Sequence, residues 1–475
     1  MSERSQSRER RNQDLLAAVR RRPQGRPLLL SSAVVLTMEP HAGDHASGDV
    51  LIVGDTIVAV GPNLGERPDA EGAVVVDCTG MIIAPGFQDT HRHAWQSQLR
   101  RYLPDADLTG YMTNMHAKMA HHYRPEDIYA GNIVAAIGAI DAGITTVLDF
   151  SHNSRSAAHT DSAIQAWIDT GIRAVHASCA PLDGTWDQQW PADLRRVAEG
   201  LDGTGRVTLR MGLIGKVVEQ IPDLVALNEP NLRLARELGL QISVDGIFTD
   251  YVANQLIDLA KAEALGADIT YIHCTDISDD AWQVIADTGG HVSLAPTSDA
   301  QVGMVSGLPP VQKAIDFGTA PSIGVDVECC LASDMFSNMR ALLTVQRMNI
   351  HTRRHHNEQD VPALLTDREV LTFATVNGAR ANGHGGRAGV LAPGMKADLM
   401  AVNADDVNLF PLNNAVGSLV QGADPRNIEF VLIDGDPVKW QGQVLTFDLD
   451  AARDLAERSR DDVFAAAGID LDPLP

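Results

Sequence analysis

His91 and His93 stand two residues apart in the run Pro85-Gly86-Phe87-Gln88-Asp89-Thr90-His91-Arg92-His93. On an extended backbone, side chains two positions apart point the same way, so the two imidazoles converge. Neutral imidazole nitrogen is the commonest protein ligand for zinc and iron, and a converging pair supplies half of a site. The run follows an apolar, β-rich stretch at 74–84, which sets the pair where a strand gives way to a loop. Comparable residues end later apolar runs: Asp149 near the end of 145–150 and His152 after it, Asp245 after 240–244, His273 closing 269–273, and Asp326 after 322–325. Imidazoles and carboxylates gathered at one point would bind a divalent ion and leave a position for water. Such an ion brings the pKa of its water toward neutrality, and a nearby carboxylate or imidazole then relays the proton.

The elements that carry these residues repeat. Between about residues 87 and 385, apolar β-type runs alternate with helical segments such as 125–142, 224–238 and 279–287. Eight such units predict an α/β fold, a (β/α)8 TIM-type barrel whose site lies at the carboxyl ends of the strands. Residues 27–86 and 386–447 are rich in short strands and turns, including the hairpin signal Ile433-Asp434-Gly435-Asp436. They are expected to form one small β-sandwich domain built from both chain ends. Residues 1–26 read as a polar, partly helical arm, and 448–475 as a C-terminal helix and tail.

The composition, 44% hydrophobic and 21% charged over 475 residues, is that of a globular enzyme. No apolar run approaches the ~20 residues that span a bilayer. With 38 basic and 62 acidic residues the net charge is -24, which disfavours nucleic acid and anionic membrane as partners. Five cysteines without CxxC spacing suggest a reduced, cytoplasmic compartment. Arg20-Arg21-Arg22 before Pro27-Leu28-Leu29-Leu30 mimics a signal peptide, but that short apolar run continues into Ala33–Thr37 and reads as a first strand.

Pro85-Gly86-Phe87 leading into His-x-His, Gly143-Ile144-Thr145-Thr146-Val147, Asp334-Met335-Phe336 with Met339-Arg340, and Gly389–Leu399 carry a resemblance over residues 27–447. The sequence resembles the amidohydrolase superfamily, and within it the cytosine deaminase and triazine hydrolase branch. The resemblance implies a metal-dependent hydrolase of a carbon-nitrogen bond other than a peptide, acting through activated water on a small cyclic or heteroaromatic compound. Deamination is the first choice and opening of a cyclic amide the next. His91 and His93 would be the first two metal ligands. Asp326 would bind the metal and accept the water's proton, and His273 would polarise the substrate or orient the water. Pro296-Thr297-Ser298-Asp299 resembles the family's Pro-x-Ser-Asn turn, with Ser298 toward substrate. Relatives commonly assemble, so a homodimer or higher homo-oligomer is expected.

The fifth strand departs from the pattern. Relatives end it in a histidine ligand, often with a glutamate proton shuttle three residues on, whereas here Asp245 and Phe248 hold those places. Strand alternation puts Asp245 nearest the mouth, so it is expected to replace the histidine. Two histidines and two aspartates make a harder site for one divalent ion, zinc first, with iron or manganese compatible. The alternative is that Asp245 caps a turn and the barrel performs lyase or isomerase chemistry, or carries no metal. Lys216 reads as a surface residue rather than a carbamylated bridge between two metals. Trp95 and Gln96 either line the substrate pocket or pack under the first loop. Leu103–Tyr123 is long for a β/α connection, and its methionine spacing favours a packed helix over a lid. Asp149 or His152 would support the His91–His93 pair from behind. The basic cluster at 351–356 reads as solvated surface, and Cys329 and Cys330 as buried and inert.

Overall fold

The structure is a computed structural model that describes residues 14–23, 25–183, 189–201, 205–217, 221–304 and 308–472. Among the described residues, seventeen strands fall into two sheets. The first, mixed sheet takes β1 (Leu28–Val35), β2 (His45–Val53), β3 (Thr56–Gly61), β4 (Val74–Asp77) and β5 (Met81–Pro85) from the N-terminal side. It takes β14 (Leu399–Asn403), β15 (Ile428–Ile433), β16 (Asp436–Trp440) and β17 (Gln443–Val444) from the C-terminal side. The two halves join where β14 runs antiparallel to β5, Ala401 opposite Ile83. β2 and β3 form a hairpin whose turn is made by Gly54, at φ 63°.

The second sheet is the barrel. Its strands are β6 (Phe87–Arg92), β7 (Ile144–Ser151), β8 (Arg173–Ser178), β9 (Val207–Ile214), β10 (Gln241–Phe248), β11 (Ile269–Thr275), β12 (His291–Leu294) and β13 (Ser322–Ile323). They lie in chain order and every neighbouring pair is parallel. All residues of β6, β7, β8 and β11 are buried, as strands covered on both faces must be. A bridge between Arg92 and Asp326 brings the last strand to the first. Val325 N and Asp326 N both donate to His91 O, at 2.9 and 2.8 Å, so the barrel is nearly closed. β13, Ser322–Ile323, stops short of the expected 322–325, and Asp326 beyond it turns to φ 67°.

The helix Asp279–Asp287 has the expected bounds and Pro125–Asp141 nearly so, with Pro125 at its first turn, where no donor is lost. The third is shorter than expected, Glu229–Glu237, because Asn228 caps it at its side chain. Residues 14–20 of the N-terminal arm are helical, and residues 1–13 lie outside the described residues. The C-terminal helix Leu449–Ala466 packs against Pro125–Asp141, where Ser459 Oγ donates to the buried Asp127 at 2.8 Å. Among the described residues no helix is long and apolar enough to cross a membrane.

Candidate metal centre and active site

Five side chains from four barrel strands meet at the carboxyl ends. Nε2 of His91 and of His93 lie 3.2 and 3.3 Å from Asp326 Oδ1. His93 Nε2 is 3.4 Å, and His91 Nε2 3.9 Å, from the Asp245 carboxylate, which His273 Nε2 also approaches at 3.3 Å. Ligand atoms around one tetrahedral ion, at bonds of about 2.0–2.2 Å, stand roughly 3.3–3.6 Å apart. Four of the five separations, 3.2–3.4 Å, are close to that spacing, and the His91–Asp245 separation is longer at 3.9 Å. Among the described residues both His91 nitrogens and Asp326 Oδ2 are buried without a hydrogen bond, whereas Asp245 Oδ1 accepts from Gly246 N at 2.6 Å. The Phe150 carbonyl can only accept, so His93 Nδ1, 3.1 Å away, carries the ring proton and Nε2 faces the cluster with its lone pair. The residues present therefore fit a divalent cation, through two orphaned groups and one tautomer set from behind.

The backbone that holds these groups is strained and braced. His273 and Asp326 both sit in the left-handed region, at φ 72° and 67°, which costs a non-glycine residue about 1–3 kcal/mol and persists only where surroundings enforce it. At Asp326 the bonds to His91 O, and from His93 N at 3.3 Å, do so. Gly324 lets β13 approach β6, because a Cβ there would stand 2.7 Å from His91 Cβ and 2.9 Å from its nitrogen. Arg92, between the two histidines and fully buried, is bound by Asp89 at 2.7 Å and by Glu328. Glu328 also accepts from Arg100 at 2.5 Å, and Asp89 Oδ1 accepts from Val325 N at 3.0 Å. This buried network ties the strand carrying His91 and His93 to the segment carrying Asp326.

The charges of the cluster shape one another. Burial opposes ionisation of Asp245, but the neighbouring imidazoles of His91, His273 and His93 hold its carboxyl well below the ordinary range. His273 is raised well above its ordinary value despite burial, because Asp245 and Asp299 both accept from it. Asp299, aspartate where the family turn has asparagine, takes His273 Nδ1 at 2.8 Å and so fixes the ring.

A cavity opens onto the cluster, lined by His93, Asp245, His273 and Asp326 together with Tyr111, His116, His152 and Phe248. The remaining wall is apolar, including Leu108, Met112, Ile214, Met304 and Val327, and no lysine or arginine is among the described lining residues. Trp95, Gln96 and Ser298 stand behind this wall rather than in it. Trp95 is fully buried and packs edge-on against Tyr123, with ring centroids 4.9 Å apart, because the 103–123 segment folds over it. Gln96 donates to the Tyr111 hydroxyl at 2.7 Å, and Ser298 is buried in the turn after β12. Lys216 is paired with Asp223 at 3.0 Å, away from the cluster. Asp149 accepts from Ala94 N and from Asn132, each at 3.3 Å, which braces the residue after His93.

Three contributions escaped the sequence reading. Leu108–Tyr111 and a π-helical turn, Met112–Met119, present Tyr111 and His116 to the cavity, although the segment's methionines also pack as the spacing suggested. The π-helical turn is the reason, since it breaks the helical period on which that reading relied. His152 lines the cavity instead of lying behind the histidine pair. Asp299 was visible as a departure from the turn motif, but its partner was not. Burial lowers the His116 pKa to about 3.

The amidohydrolase family model matches residues 82–438. A 5-methylthioadenosine/S-adenosylhomocysteine deaminase of Pelotomaculum thermopropionicum is 27% identical over 432 residues, covering 89% of this chain and 95% of that protein. A 5′-deoxyadenosine deaminase of Methanosarcina acetivorans is 26% identical over 460 residues, covering 93% and 99%. The crystal structure of an adenosine deaminase from Xanthomonas campestris with bound zinc superposes with a TM-score of 0.77 at 21% identity, over 93% of this chain and 100% of that one. The match to the family model takes in the whole barrel and the strands that flank it. The chain therefore belongs to the amidohydrolase family and is a hydrolase of carbon-nitrogen bonds other than peptide bonds.

Proposed function

We propose that the protein removes an amino group hydrolytically from a heteroaromatic ring, with a 6-aminopurine nucleoside bearing an uncharged 5′ position as the first substrate to test. The observation that carries this reading is the convergence of three imidazoles and two carboxylates at the floor of an apolar cavity. The apolar wall suits a flat ring, and the lack of a described basic residue in it argues against a phosphorylated substrate. The deaminase names of the relatives support the choice of leaving group.

His91, His93, Asp245 and Asp326 would hold one divalent ion, zinc first. Such an ion supplies Lewis acidity and lowers the pKa of a water that it binds. Asp326 uses its two oxygens differently: Oδ1 faces both histidines, while Oδ2, without a protein partner among the described residues, takes the proton of the attacking water. His273, fixed through Asp299, donates from Nε2 toward the charge that develops on the ring. Phe248 has no proton to carry, so Asp326 Oδ2 also returns the proton to the departing nitrogen. The same groups that shape the site keep bulk water from the ring once the cavity is filled.

The test is incubation of the metal-loaded protein with 5′-deoxyadenosine in oxygen-18 water. Release of ammonia with one heavy oxygen in the product is the expected result. A fully loaded enzyme that releases no ammonia from aminated purines, pyrimidines or triazines would overturn the proposal, and a product without solvent oxygen would point to non-hydrolytic chemistry.

A further inference from the structure

We propose that Tyr111, His116 and His152 form the wall that reads the substrate's ring, with the Tyr111 hydroxyl donating to an unprotonated ring nitrogen. The inference rests on the heteroaromatic reading above and goes beyond it by naming the recognising atoms. All three side chains line the cavity, on the side formed by the 103–123 segment and the end of β7.

The argument is a proton count. The Phe150 carbonyl accepts from His152 Nδ1 at 3.2 Å, so neutral His152 presents a bare Nε2. The Gln96 amide donates to the Tyr111 oxygen at 2.7 Å, while its carbonyl takes the Cys329 thiol at 3.1 Å. His116 Nε2 lies between, 3.1 Å from the Tyr111 oxygen and 3.4 Å from His152 Nε2. A proton on His116 Nε2 serves both acceptors. The Tyr111 oxygen then accepts twice, and its own proton has the cavity to point into. In the opposite arrangement Tyr111 donates to His116, and two bare nitrogens face each other with His152 lacking a donor. Buried acceptors left without donors are costly, so the first arrangement is preferred and leaves one hydroxyl donor for a ligand.

The rest of the cavity increases the value of that donor. A ring nitrogen buried against Leu108, Met112 and Phe248 loses its water, and an unsatisfied buried acceptor costs about 1–3 kcal/mol. The family's glutamate, which would offer a polar group at the end of β10, is Phe248 here. The cavity thus supplies from the first loop what the fifth strand lacks.

Purine ribonucleoside is the probe, with its 1-deaza, 3-deaza and 7-deaza counterparts, titrated by calorimetry into metal-loaded wild type and Tyr111→Phe. Tyr111→Phe should weaken purine ribonucleoside binding about tenfold at unchanged metal content. The difference between the two chains should vanish for the one deaza compound that lacks the contacted nitrogen. Equal affinity of both chains, an equal loss for all four compounds, or no binding by the wild type would each overturn the inference. Failure to release ammonia from 5′-deoxyadenosine would count against the proposed reaction alone, since the binding comparison needs no turnover.

Discussion

Replacing Arg92 by methionine tests whether the buried charge network holds the site together. The guanidinium and its two carboxylates, Asp89 and Glu328, have fully buried side chains. Without Arg92, Glu328 keeps Arg100, which is 29% exposed, but Asp89 keeps only the backbone N–H groups of Val325 and His91, at 3.0 and 3.3 Å. Burial already drives the Asp89 pKa up against the pull of Arg92, so in the variant Asp89 takes up a proton or stays as an uncompensated charge. Breaking a buried pair by removing one partner costs about 3–5 kcal/mol. In a chain of this size, whose unfolding entropy is about 1 kcal/mol/K, that is a fall of roughly 3–5 °C in Tm. Scanning calorimetry at matched metal loading measures it, and Arg92→Met with Asp89→Asn should recover part of the loss because the unpaired charge is gone. The reasoning is refuted if Arg92→Met loses less than about 1 kcal/mol, the range of exposed pairs, or if the double variant is no more stable than the single one.

Gly324→Ala should leave the protein folded yet reduce its metal content severalfold, because the new Cβ would press on His91 at 2.7 Å; retention of wild-type metal content would contradict this. His384, 5% exposed, has its pKa pushed down to about 3, chiefly by burial and then by the charges of Arg173 and Arg210. Its unfolded pKa is about 6.5, so between those values the unfolded chain binds the proton that the folded chain refuses. The contribution is therefore complete above about pH 6.5 and is lost as pH falls, by up to about 1.4 kcal/mol per unit. Denaturant unfolding of wild type and His384→Asn between pH 7 and 4 should show the flatter dependence in the variant, and parallel curves would refute the assignment.

The alternation of apolar runs with helical segments was legible because a parallel barrel buries its strands on both faces. β7 and β8 are buried along their whole length and mostly apolar or small, with Asp149, Arg173 and His176 as the exceptions. The polar residues that end β6, β10 and β11 marked the mouth for the same reason, since hydrogen bonding and catalysis are what polar groups do at the end of a buried strand. Asp245 was placed by period-two alternation and does face His93 at 3.4 Å. Of the two places left open for Trp95 and Gln96, packing under the first loop has a physical cause. β6 runs directly into a 3-10 turn over Ala94–Leu99, which ends the alternation that carried His91 and His93 forward and turns the next side chains inward. His116 was hidden by a π-helical turn, whose wider winding carries no distinct residue signature, and Tyr111 by the short helical turn that leads into it. The left-handed backbone at His273 and Asp326 was equally invisible, because tertiary bonds enforce it against the local preference of both residues.

The central claim is that four side chains, Asp245 among them, hold one catalytic cation. Metal content of purified wild type, His91→Ala and Asp245→Ala, read by plasma mass spectrometry after equilibration with zinc, iron or manganese, tests it most directly. About one equivalent per wild-type chain, with both variants falling to a similar small fraction, is the predicted result. Full occupancy in Asp245→Ala would remove Asp245 from the site, and a wild type that takes up none of these ions would contradict the account.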